Sequence, residues 1–281
     1  MKDQNNILVI GGPNVGKTHY GGQLYGRLVN KQGLYKITSP PENLIVFREV
    51  LDSLSEGKSA GRTHVSSNEQ LKLEIEDSKN NKVLFSFPDY GGEQIDKIVN
   101  ERKVNSIWKE NIDNSTGWML FIRLDELKPI EDIINRGIPE QSVLESRNKN
   151  EIDLTISPTA FYIELLQMLL YVKGVSSYKN DCEVKLTVVL SCWDNIDGIS
   201  KESKPSEVLE DRLPMVKQFI DSIWAQDKVT FIGLSSTGKT LSNDNVDEEY
   251  INKGPENFGY IVNPNGIIEP DLTLSISGII G

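Results

Sequence analysis

The chain has 281 residues, enough for one large or two small domains, and its 38% hydrophobic and 25% charged content is that of an ordinary globular protein. A formal net charge of -11 argues against a general surface for nucleic acid or anionic membrane, since both are polyanions. Two cysteines, Cys182 and Cys192, fit neither a disulfide framework nor a zinc cluster and read as reduced thiols of a cytoplasmic protein.

The first element is Ile7-Leu8-Val9-Ile10, an apolar run read as a strand that starts without a signal-peptide pattern. Gly11-Gly12-Pro13-Asn14-Val15-Gly16-Lys17-Thr18 follows, and then Leu24 and Leu28 recur at helical spacing. Strand, glycine loop and helix form the context that the G-x-x-x-x-G-K-[ST] phosphate-binding loop requires. Its glycines let backbone N–H groups turn inward around phosphate oxygens. Lys17 would reach the β and γ oxygens, Thr18 would hold Mg²⁺, and the helix N-terminus adds partial positive charge. His19, in the first turn beside them, reads as a packing or hydrogen-bonding residue at the same site; it makes no metal pair with His64 by spacing.

After Ser39-Pro40-Pro41 a helix restarts with Leu44, Phe47, Leu51 and Leu54 on one face. Residues 55–68 are small and polar and read as a loop. Leu71, Leu73 and Ile75 alternate with Lys72, Glu74 and Glu76, and a turn at 77–81 leads to Val83-Leu84-Phe85-Ser86-Phe87. So short a connection makes the two strands antiparallel neighbours. At the end of the second strand stands Pro88-Asp89-Tyr90-Gly91-Gly92-Glu93-Gln94. Asp89, at the strand tip, can hold the Mg²⁺ shell, and Gly92 can offer a bare N–H to a γ-phosphate.

A single helix is expected over 94–110 and a strand over 118–124. Residues 126–156, charged and holding Pro129, Gly137 and Pro139, read as an inserted excursion. A helix over 158–172 follows; it is short and contains Glu164 and Gln167, so nothing is expected to span a membrane. A strand over 184–191, a long helix from about 205 to 226 that Pro214 can kink, and a strand over 228–233 come next. The tail is polar until Phe258-Gly259-Tyr260-Ile261-Val262, and a turn at 263–266 precedes a final short strand. This order predicts an α/β three-layer sandwich of the P-loop type: a mostly parallel sheet, helices on both faces, one antiparallel edge hairpin strand, and ligand at the carboxyl ends of the strands.

With these motifs in order, the chain resembles the translation-factor and Ras-like (TRAFAC) class of P-loop GTPases. Gly-Pro-Asn-Val-Gly-Lys-Thr looks most like the Era-type members. The wider stretch Gly-Lys-Thr-His-Tyr-Gly-Gly-Gln-Leu-Tyr-Gly-Arg-Leu, with Asp-Tyr-Gly-Gly-Glu, is more similar to the bacterial double-GTPase family of conflict systems. The resemblance covers roughly residues 6–237. It implies a P-loop GTPase domain over 1–237, with 238–281 as an extension packed on the same domain.

Carried over by position, Thr63 would be the switch threonine that coordinates Mg²⁺, and Arg62 beside it can serve in cis as an arginine finger. Glu93 stands where Ras-like proteins carry the water-orienting Gln, and Gln94 is the nearest substitute, which implies slow hydrolysis that needs a partner or an ion. Asn14 matches the place where Era-type members recruit K⁺. The base-reading motif is degenerate: in Ser191-Cys192-Trp193-Asp194, Asp194 is in register to accept two hydrogen bonds from guanine, while Cys192 replaces the expected Lys. Trp193 borders the base in this reading, and Ser235-Ser236-Thr237 looks like the last base-contacting loop. Gly233-Leu234-Ser235-Ser236-Thr237-Gly238-Lys239-Thr240 repeats the phosphate-loop pattern but precedes no apolar helix, so it reads as a coincidence.

The expected function is a Mg²⁺-dependent GTP-binding protein that hydrolyses GTP slowly and works as a nucleotide-dependent switch on a protein effector. Two other readings stay open. One is a nucleotide-state binding module with negligible turnover; the other is an ATP-binding sensor, should Asp194 not read guanine.

Overall fold

Period-two patterning sets the core. In the computed structural model, which describes residues 5–30, 33–39, 44–60, 71–88, 92–127, 156–175, 182–200 and 202–280, strand β1 (Asn5–Ile10) sends Ile7 and Val9 to one face of the sheet. Leu8 and Ile10 go to the other. Strand β5 (Gly117–Arg123) does the same, with Met119 and Phe121 on the first face and Trp118, Leu120 and Ile122 on the second. A strand apolar on both sides belongs in a sheet interior covered by helices.

The remaining strands are β2 (Tyr35–Ile37), β3 (Leu71–Asp77), β4 (Lys82–Phe87), β6 (Lys185–Ser191), β7 (Val229–Ser235), β8 (Tyr260–Val262) and β9 (Ile268–Glu269). They order as β2-β3-β4-β1-β5-β6-β7-β8-β9 in one sheet. The centre, from β4 through β1, β5 and β6 to β7, is parallel. The expected hairpin β3–β4 is antiparallel, with Leu73 opposite Phe85. The sheet carries more antiparallel pairing than one edge pair. Tyr35–Ile37 adds an outer strand beyond β3, and β8 and β9 add a hairpin at the opposite edge. Strands of two or three residues give too short an alternation to read from sequence.

Helices α1 (Lys17–Val29) and α2 (Leu44–Ser55) cover the first face through Tyr20, Leu24, Leu28 and Phe47. On the second lie α3 (Glu93–Glu101), α4 (Ser106–Asn114), α5 (Pro158–Lys173), α6 (Pro205–Arg212) and α7 (Pro214–Ile223). Two expected long helices are each broken in two. The helix expected over 94–110 stops at Arg102, a left-handed cap with φ 52°, and restarts at Asn105, whose side chain accepts the Trp108 N–H. The helix expected over 205–226 breaks at Leu213, because Pro214 cannot donate to the preceding turn and instead begins α7.

Past β7, helix α8 (Glu248–Lys253) and the hairpin β8–β9 lead to a 3₁₀ turn over Leu272–Ile276 and helix α9 (Ser277–Ile280). The short strand expected after the turn at 263–266 is β9, and helical turns that were not expected follow it. Spacing of buried Leu272, Ile276 and Ile279 by four and three residues is a helical stripe, and it packs on the first face of the sheet. This segment grips α1 through buried polar bonds. Tyr20 Oη lies 2.7 Å from Ser275 Oγ, and Gln23 Nε2 donates to Tyr250 Oη at 2.7 Å. The Arg27 guanidinium donates to the carbonyls of Phe258, Gly259 and Pro270. Among the described residues, no helix is long and apolar enough to cross a membrane.

Candidate nucleotide site

The carboxyl ends of β1, β5, β6 and β7 open onto a cleft of about 630 Å³. In a parallel α/β sheet this is where ligands sit. Its floor is the glycine loop. Asn14 and Gly16 both take positive φ, 60° and 84°, and Gly16 caps α1 in the left-handed region. Lys17 is 4% exposed, and its Nζ donates to the carbonyls of Gly11 and Gly12 at 2.5 and 2.6 Å. The ammonium thus lies folded against its own loop, while Thr18 and His19 line the wall beside it.

Gly92 caps α3 at φ 83° and presses on the same loop from the far side. A Cβ there would come within 2.4 Å of Gly12 C and Pro13 N and 2.5 Å of Gly12 O, so no side chain fits. The two motifs, eighty residues apart, meet backbone to backbone. The structure does not bring Gln94 to the cleft. Its Oε1 accepts from Trp108 Nε1 at 3.0 Å and Asn105 Nδ2 at 3.1 Å, which ties α3 to the start of α4. Glu93 begins α3; its side chain, together with Arg62, Thr63, Asp89 and most of the expected excursion over 126–156, lies outside the described residues.

His19 has a specific role. The backbone N–H of Ala60 donates to its Nε2 at 3.2 Å, and Ser59 Oγ lies at the same distance. An Nε2 that accepts makes the ring neutral, with its proton on Nδ1. Burial, helped by the nearby Arg123 charge, lowers its pKa to about 4.

At the opposite end, Cys192 takes φ 51° and turns the chain after β6, so that Trp193 points inward and Asp194 outward. Asp194 and Ser236 both line the cleft. Trp193 does not: its ring packs in the core over Gly233, where a Cβ would come within 2.5 Å of it. Ser235 is also buried, at the end of β7 opposite Tyr260. Cys192 sits where the resemblance places a lysine, and burial pushes its thiol up to about 12, so it supplies no charge beside a base.

The second copy of the phosphate-loop pattern has another environment. Gly233 to Ser235 lie inside β7, and Lys239 pairs with Asp247 at 2.7 Å and Glu249 at 3.1 Å over the Phe258 ring. No helix starts at Thr240.

Several cleft residues were not read from sequence. Asn195 and Thr240 line the cleft together with Asp194 and bond to each other at 2.6 Å; Asn243 lines it too. Arg123, the last residue of β5, donates to Asn14 O at 3.0 Å and forks onto Asp125 at 2.9 and 3.0 Å. The signal for Arg123 was present. A lone charge closing an otherwise apolar strand, at the end where ligands bind, is a candidate site residue by position.

No curated protein matches the chain. Among solved structures, Arl6 of Trypanosoma brucei with a bound nucleotide analogue is 11% identical at TM-score 0.38, covering 83% of this chain and 88% of that one. The elongation factor SelB of Methanococcus maripaludis is 12% identical at TM-score 0.38, over 84% of this chain and 31% of that one. The GTP-bound Ski7 GTPase-like domain of S. cerevisiae is 15% identical at TM-score 0.38, over 87% and 46%. The profile of one family, Double-GTPase 1, matches residues 8–279, nearly the whole sequence. The chain belongs to the Double-GTPase 1 family.

Proposed function

We propose that this GTP-binding protein is a Mg²⁺-dependent switch that hydrolyses GTP slowly, in the cytoplasm, within a bacterial defence-type system. The observation that carries the reading is one cleft with a buried lysine and a glycine loop at one end and Asp194 at the other. Triphosphate charge would meet Lys17, the amides of residues 12–18 and the N-terminus of α1. Asp194 would accept from guanine N1 and N2; adenine has no donor pair there, and an unmatched buried group can cost discrimination of ~10⁴.

The Thr18 hydroxyl, beside Lys17 in the cleft, is an oxygen donor of the kind Mg²⁺ takes, and the metal usually completes its shell with phosphate and water. Thr63 and Asp89 are proposed as the other protein ligands, on the resemblance alone. When bound, the ion would neutralise charge developing on the β and γ oxygens. Gly92, already against the loop, is proposed to donate its N–H to the γ-phosphate. Arg62 and Asn14 remain candidates for a cis arginine and a K⁺ ligand.

Slow turnover is supported by the engagement of Gln94 with Trp108 and Asn105, away from the cleft. The same observation favours, as a second reading, a binding module whose nucleotide state presents a surface to a protein effector. Competition of GTP against ATP, in wild type and Asp194→Ala, tests the base assignment. GTP preference in the wild type, lost in the variant, is expected; equal affinities in both would remove it. Single-turnover hydrolysis with and without cell extract separates the switch enzyme from the binding module.

A further inference from the structure

Arg123 lies outside every motif of the nucleotide-site reading, and its geometry gives it a use there. The guanidinium is held by a fork: Nε and Nη2 go to Asp125, and Nη2 also lies 3.0 Å from Glu126. That leaves Nη1 aimed at one atom, the carbonyl oxygen of Asn14, at 3.0 Å. A peptide unit is planar and trans, so its C=O and the following N–H point in opposite directions. Fixing Asn14 O toward Arg123 therefore fixes the Val15 N–H on the other side, and Val15 lines the cleft. Asn14 itself sits at φ 60°, in the left-handed region that Asn tolerates better than most non-glycine residues but that is still less favourable than the right-handed one.

We infer that Arg123 is a positioning residue for phosphate binding. It holds the Asn14–Val15 peptide in the orientation that presents the Val15 amide to a phosphate oxygen of a nucleoside di- or triphosphate. The inference rests on the nucleotide reading above and adds a residue to it. Arg123 does not act as the anion's own counter-charge, because Asp125 and Glu126 already neutralise it.

The test is calorimetric titration of GDP with Mg²⁺ into nucleotide-free wild type, Lys17→Ala, Arg123→Met, Arg123→Lys and the double variant Arg123→Met/Asp125→Asn, alongside thermal unfolding of each. The double variant removes one positive and one negative charge together, so local net charge is unchanged. Losing one amide hydrogen bond to an anion corresponds to roughly 10- to 100-fold in affinity. That loss is expected in Arg123→Met and equally in the double variant, with the unfolding temperature near wild type and with most of the affinity restored in Arg123→Lys. Wild-type affinity in Arg123→Met overturns the inference, as does full recovery in the double variant, which would make the effect one of charge. So does an affinity loss that only parallels lost stability and that Lys does not rescue. Should Arg123→Met not fold, Arg123→Gln is titrated in its place against the same outcomes. A wild type that binds no GDP removes the nucleotide reading and this inference together; a wild type that binds, with Arg123→Met unchanged, removes the inference alone.

Discussion

Gly92→Ala measures whether the Asp-x-x-Gly turn and the glycine loop are mechanically one object. Two costs arise at this position. The backbone is at φ 83°, where an L side chain adds about 1–2 kcal/mol. The new methyl would also stand 2.4 Å from backbone atoms of Gly12 and Pro13, which cannot rotate away as a side chain could. Overpacking of that kind adds about 1–3 kcal/mol. The sum is about 2–5 kcal/mol, expressed either as lost stability or as a displaced loop with weaker nucleotide binding. Gly174→Ala is the control, since Gly174 has φ 76° but nothing within 4 Å of a new Cβ. It should lose only the backbone part, about 1–2 kcal/mol. Urea unfolding of both variants, with GDP titration of each, gives the difference directly. If Gly92→Ala is no less stable than Gly174→Ala and binds GDP as wild type does, the close approach of the two motifs is wrong.

Other perturbations follow from the same geometry. Lys17→Ala should abolish measurable nucleotide affinity, while Lys239→Ala, in the repeated pattern, should leave it unchanged by the same titration. Gln94→Ala should destabilise the protein by about 1–3 kcal/mol in urea, by stranding the Trp108 indole N–H, yet leave the single-turnover rate within about twofold. His19, with a pKa lowered from 6.5 to about 4, binds its proton more readily in the unfolded chain. Its contribution is therefore present above pH 6.5 and is lost as pH falls from there toward 4, by on the order of 3 kcal/mol in all. Unfolding temperatures across that window should fall less steeply in His19→Gln than in wild type.

The parallel sheet and its phosphate loop were legible because long apolar strands and a glycine motif are local signals. Trp118 to Ile122, a short apolar run closed by a charge, reads as a buried strand, and the phosphate-loop motif is recognised from its neighbours alone. The breaks at Arg102 and Leu213 were harder. A left-handed cap on an arginine has no composition signature, and Pro214 allows either a kink or a new helix. Trp193 and Gln94 were misplaced for a shared reason: sequence register brings a residue near a site without saying which way its side chain turns. For Trp193 the positive φ of Cys192 decides it, and for Gln94 the indole of Trp108 fourteen residues later. The pair Asn195–Thr240 depends on a contact between distant strand ends, which no periodicity encodes.

The grip of the last forty residues on α1 has a consequence for biosynthesis. Tyr20, Gln23 and Arg27 find partners 227 to 255 positions later. At translation rates of about 5–20 residues/s, those partners leave the ribosome on the order of 10–50 s after the helix itself. Throughout that interval Tyr20, Gln23 and Arg27 lack the partners that the folded chain gives them, and until Gly92 and Arg123 emerge the glycine loop lacks two of its own contacts. The far end of the described chain is therefore what satisfies the buried polar groups of a helix made within the first thirty residues.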